Sequence, residues 1–162
     1  MNLQQQLADA AQALKAHDFS AALSLLQPVT VAEPNSPDGW QLIALAYKGL
    51  GQSGDAEQAF LKSIEILEQP HVLTNLANLY RSTGRLNEAV EIYERALVLQ
   101  SDNVPCQINL ARTLLDLKQL DIAEKHFANV VQRVPEHINA RIGLAQVLQL
   151  KGLQQEALGL FQ

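Results

Sequence analysis

An alanine recurs through this chain at steps of 33 or 34 residues, at Ala22, Ala56, Ala89, Ala123 and Ala157. A fixed period of that length constrains folding strongly, because each copy is one supersecondary unit that must bury its apolar face on its neighbours. The unit is clearest in the middle of the chain, over Pro70–Asn103. There Leu73, Leu76, Ala77 and Tyr80 recur at three- and four-residue steps, which gathers them into one stripe on a helix of about 3.6 residues per turn. Gly84 interrupts the run, and Leu86, Ala89, Val90, Tyr93, Ala96 and Leu97 restart it. The spacing predicts two amphipathic helices lying antiparallel across a short turn. Neither can bury its stripe alone.

The same register divides the chain into Leu3–Ser36, Pro37–Gln69, Pro70–Asn103, Val104–His137 and a shorter unit from Ile138. In the first, Leu3, Leu7, Ala10 and Leu14 carry one helix and Phe19, Ala22, Leu26 and Val29 the other; its divergence and its early glutamines fit a terminal cap. In the second, Pro37 suits the first helical turn, where a missing N–H costs nothing, and Asp38 adds an anion near the positive helix end. Trp40 is read as a packing residue. The fourth carries Lys118, and the first His17, where the others have a turn glycine. Both are expected in a left-handed backbone conformation, at a modest cost.

A bulky residue, then Leu-Gly or Leu-Ala, then Tyr on the first helix, with Ala and an aromatic on the second, is met by Trp40, Ile43, Ala44, Tyr47, Ala56 and Phe60, with Ile in place of Leu. Leu110, Ala111, Leu114, Ala123, Phe127 and Pro135 repeat much of it, as do Leu144, Ala145, Leu148, Ala157 and Phe161. The chain thus resembles the tetratricopeptide repeat (TPR) superfamily. The resemblance implies an all-α fold: a right-handed α-solenoid of antiparallel helix pairs wound into a TPR superhelix, with residues 1–162 forming a single TPR domain of about four and a half repeats. Ending at Gln162 within a second helix, the sequence is expected to be a fragment of a longer TPR-containing chain. The alternative is that a partner, or another copy docking head to tail, closes the apolar end.

Composition narrows the function. The formal net charge is −5 and no Lys/Arg run is present, so binding to nucleic acid is not expected. The start lacks the cationic and apolar segments of a signal peptide, and no stretch approaches the roughly 20 apolar residues that cross a bilayer. The single cysteine, Cys106, fits a reducing compartment and reads as a buried thiol. A cytoplasmic location without membrane association is expected. His17, His71, His126 and His137 show no pairing that seats a metal, and each is expected as a solvated surface residue. Glu88, Glu91 and Glu94 read as the solvated face of a helix, and no glycine-rich phosphate loop occurs. No catalytic residue, metal or cofactor is expected, and the chain reads as non-enzymatic.

What remains is a polar face. His71, Thr74, Asn75, Asn78, Arg81 and Ser82 lie opposite the apolar stripe of their helix. The TPR resemblance implies that first-helix faces line a concave groove, where a peptide-binding set of Gln41, Lys48, Thr74, Asn75, Asn78, Arg81, Asn109, Arg112 and Gln146 is expected. Lys15, Asp38, Asp116, Asn139 and Gln149 belong to the same faces. Asn75 and Asn109 stand one repeat apart and resemble two rungs of the asparagine ladder in O-linked N-acetylglucosamine transferase; Leu42 and Gly143 take the equivalent places in the flanking repeats. The dicarboxylate clamp of chaperone-binding TPRs is not matched, since its cationic places fall on Thr74, Asn139 and Gly143. The expected partner is a protein or peptide, held extended and polar, neutral or acidic in character. Two other functions compete: a TPR arm of a larger enzyme, such as a sulfotransferase, and a self-assembling solenoid.

Overall fold

The computed structural model describes residues 2–161, and among them the only regular elements are ten α-helices. They are α1 (Leu3–Lys15), α2 (Phe19–Ala32), α3 (Pro37–Gly49), α4 (Ser53–Ile66), α5 (Pro70–Ser82), α6 (Leu86–Leu99), α7 (Val104–Asp116), α8 (Leu120–Arg133), α9 (Ile138–Leu150) and α10 (Gln154–Gly159). Odd- and even-numbered helices alternate along the chain.

The two kinds of helix start differently. Asn2, Ser36, Asn103 and His137 accept, through their side chains, the N–H groups of Gln4, Gly39, Cys106 and Ala140, and so cap α1, α3, α7 and α9. These bonds satisfy donors that the first helical turn leaves unpaired. Among the even-numbered helices, Asp18 caps α2, whereas α4, α6, α8 and α10 carry no side-chain cap. Those starts are instead fixed by the preceding turn. One residue per pair is left-handed: His17 (φ 59°), Gly51 (75°), Gly84 (79°), Lys118 (61°) and Gly152 (80°). The next N–H in each case, from Asp18, Gln52, Arg85, Gln119 and Leu153, reaches back 2.9 Å to the carbonyl five residues earlier. This is the Schellman closure, and it favours glycine at the left-handed position. His17 and Lys118 hold that conformation without it, as their register with the turn glycines predicts.

The helices form two compact units, residues 1–79 and 80–162. In the first, α1 packs on α2 and α3, α2 on α3, and α3 on α4. Its core contains Ala10, Ala22, Leu26, Ala44 and Phe60, all fully buried. Ser63 is buried as well, and its hydroxyl donates to the Pro37 carbonyl at 2.8 Å. In the second unit α7 packs on α6, α8 and α9, and α9 on α8 and α10, around Tyr93, Leu110, Ala111, Phe127 and Val130. Cys106 is fully buried there, its Sγ 3.6 Å from the Tyr93 carbonyl. Burial also pushes the Tyr93 hydroxyl well above its ordinary pKa. The recurring alanines are no more than 3% exposed, so the period marks buried positions.

Two histidines depart from the solvated expectation. His126 is half-buried on α8, and loss of water around the ring lowers its pKa despite the opposing pull of Glu94. His137 caps α9, with Nδ1 3.4 Å from the Ala140 nitrogen. Glu88, Glu91 and Glu94 are exposed, and Glu88 is held below the usual carboxylate range by its hydrogen bond from Arg85.

Candidate functional site

In the first unit, Gln41, Lys48, Thr74, Asn75 and Asn78 are all half-buried. Gln41 on α3 meets His71 on α5, with Oε1 3.0 Å from the imidazole Nε2. Thr74 donates its hydroxyl to the Pro70 carbonyl of its own helix at 2.8 Å, so only its acceptor capacity faces outward. Lys48 lines a cavity of about 430 Å³ together with Leu14, Lys15, His17, Phe19, Leu45 and Gly49. Burial there lowers the pKa of its ammonium group, since removing water penalises the charged form.

The second unit gathers the remaining residues at three places. Arg81 Nε lies 3.8 Å from Asp116 Oδ2, too long for a hydrogen bond but within ion-pair range. Asn109 and Arg112 on α7 share a cavity of about 240 Å³ with Asn139 on α9 and with Pro105, Ile108 and His137. Gln146 and Gln149 border another, of about 360 Å³, beside Leu115 and Leu150.

The interruption of the asparagine register at Gly143 has a steric cause. A Cβ added to Gly143 would stand 2.3 Å from the Phe127 ring, and Phe127 is fully buried. An asparagine there would have to displace the ring. Gly49 has the same relation to Phe19, also at 2.3 Å. Neither contact is visible to a period count, because each depends on the depth at which a ring from the preceding helix seats. His137 and Ile108 were likewise not expected in the site. The capping position of His137 before α9 was the available signal.

The tetratricopeptide-repeat family matches residues 37–68, 72–104 and 108–162. The chain belongs to the tetratricopeptide-repeat family. Among curated relatives, the human protein O-mannosyl-transferase TMTC1 is 32% identical over 85 residues, which cover 52% of this TPR chain and 10% of that protein. Mouse superkiller complex protein 3 is 27% identical over 124 residues, covering 69% and 8%. The TPR chain thus spans about a tenth of the length of these relatives. Among solved structures, MamA superposes with a TM-score of 0.86 at 19% identity, over 94% of this chain and 90% of that one. YrrB, a TPR protein with an unusual peptide-binding site, superposes with a TM-score of 0.81 at 17% identity, over 96% and 80%. At such identities the likeness shows the fold, an all-helical TPR solenoid.

Proposed function

We propose that this chain is a non-catalytic interaction module that holds an extended polypeptide, and that Asn109, Arg112 and Asn139 supply its main contacts in the second unit. The carrying observation is their convergence on one cavity from two helices. An asparagine amide both donates and accepts, so it can pair with a peptide backbone whatever the side chains are. A guanidinium pairs with a carboxylate through two parallel hydrogen bonds, which suits a neutral or acidic ligand. Arg81 and Gln146 extend this set in the second unit. Gln41, Lys48, Thr74, Asn75 and Asn78 form its counterpart in the first. The peptide-binding site of the fold neighbour YrrB supports the same use of the fold.

The test is a dodecapeptide selected from a random displayed library on the wild-type protein, then titrated against Asn109→Ala with Arg112→Ala. Affinity is expected to fall about tenfold or more, with helicity by circular dichroism unchanged. Unchanged affinity in a folded variant refutes the assignment. A second reading, a repeat arm within a larger enzyme, is favoured by the match to part of a mannosyl-transferase. Reading the gene beyond Gln162 decides it, since an adjoining catalytic domain supports it and an immediate stop codon opposes it.

A further inference from the structure

The cavity in the first unit differs in chemistry from the amide-lined one. Leu14, Leu45 and the Phe19 ring make its wall apolar, and Lys15 and Lys48 also line it, so two cationic side chains border an otherwise apolar surface. Its roughly 430 Å³ lies at the low end of the ~300–1,000 Å³ of small-ligand sites.

The floor is held in place by two features. Phe19 rests against the bare backbone of Gly49, where a Cβ would come within 2.3 Å of the ring. His17, in the turn at φ 59°, stands edge-on to the same ring, with centroids 5.8 Å apart and planes at 80°. A histidine there accepts backbone strain that glycine would avoid, and its ring is what buttresses Phe19. The apolar floor therefore exists before any ligand arrives, which lowers the ordering cost of binding.

The charges point to the partner. Among the described residues no carboxylate forms an ion pair with Lys15 or Lys48, and nearby Asp18 is engaged in capping α2 through the Ala21 N–H. Lys48 is partly withdrawn from water, and burial has weakened its hold on its proton. An incoming carboxylate restores what desolvation removed.

We propose that this cavity is a side-chain pocket that takes one leucine or phenylalanine of a peptide whose flanking residues are acidic. The pocket rests on the reading of the chain as a polypeptide binder and adds the chemistry of the anchor. The apolar side chain fills the space over Phe19 and Leu45, and its flanking carboxylates meet Lys15 and Lys48.

The test uses three synthetic peptides, GSDEFEDSG, GSDEAEDSG and GSKKFKKSG, titrated into ¹⁵N-labelled protein. GSDEFEDSG is expected to shift the amides of residues 14–19 and 45–49. Removing its ring should weaken binding about tenfold or more, and GSKKFKKSG should not bind. In Lys15→Glu with Lys48→Glu the order of GSDEFEDSG and GSKKFKKSG reverses. Shifts confined to Asn109 and Arg112, or equal binding of GSDEFEDSG and GSDEAEDSG, overturn the pocket and leave the interaction module standing. Failure of GSDEFEDSG to bind, while a library-selected dodecapeptide still binds through Asn109 and Arg112, overturns the pocket alone. Failure of both overturns both readings.

Discussion

Replacing Gly143 with alanine sets two effects of known size against each other. In an ordinary helix interior the change favours folding by about 0.8–1 kcal/mol, through helix propensity. Here the new Cβ would stand 2.3 Å, 2.4 Å and 2.8 Å from three carbons of the Phe127 ring. Non-bonded carbons settle about 3.5–4.0 Å apart, so the ring must retreat by roughly 1 Å or more. Phe127 is fully buried, and moving a side chain within a filled core costs about 1–3 kcal/mol. The net expectation for Gly143→Ala is a loss of up to about 2 kcal/mol. With a urea slope of ~2 kcal/mol/M, the midpoint followed by circular dichroism should fall by up to about 1 M. Gly54→Ala is the matched control, because nothing lies within 4 Å of its added Cβ; the midpoint should hold or rise. Phe127→Leu should relieve the clash, making the double variant more stable than the sum of the single losses by about 1 kcal/mol. A midpoint that rises in Gly143→Ala, or strict additivity with Phe127→Leu, refutes the reasoning.

His126 gives the pH dependence a defined sign. Its folded pKa lies below the ordinary 6.5, so as pH falls the unfolded chain takes up the proton first. Its contribution is full above about 6.5 and is lost as pH drops through the folded value. Urea midpoints taken between pH 7.5 and 5 should decline in the wild type and decline less in His126→Gln; identical slopes exclude the imidazole as the cause. At Lys118, where φ is 61°, glycine removes a left-handed penalty of about 1 kcal/mol but frees the unfolded chain, for a net gain of roughly 0.5 kcal/mol. A lower midpoint in Lys118→Gly would show that the lysine side chain holds the turn in some further way.

The helical period could be read directly because Leu73, Leu76, Ala77 and Tyr80 all lie on one stripe and all are buried. His17 and Lys118 could be read as left-handed because they share a register with Gly51, Gly84 and Gly152. Cys106 was legible by the same means. Such features belong to one helix or one turn, where spacing along the chain determines geometry. Features that depend on two helices were not legible. The pairing of Gln41 with His71 links positions 30 residues apart, and nothing in either local sequence selects it. His126 is half-buried because of how its helix stacks, which residue type does not reveal. The polar positions Asn109, Arg112 and Asn139 were expected from their faces, but their convergence with His137 and Ile108 on one cavity needed the packing of α7 against α9.

The bare backbone at Gly49 and Gly143 also limits what can be engineered on this scaffold. A library that randomises every position of α3 and α9 would treat those two steps as free, yet any side chain placed there meets an aromatic ring that must move to admit it. Clones varied at these steps would carry the cost of displacing a ring, about 1–3 kcal/mol, and the selection would under-sample them whatever they bind. The chemical alphabet open to variation on these two helices is therefore smaller than their length suggests.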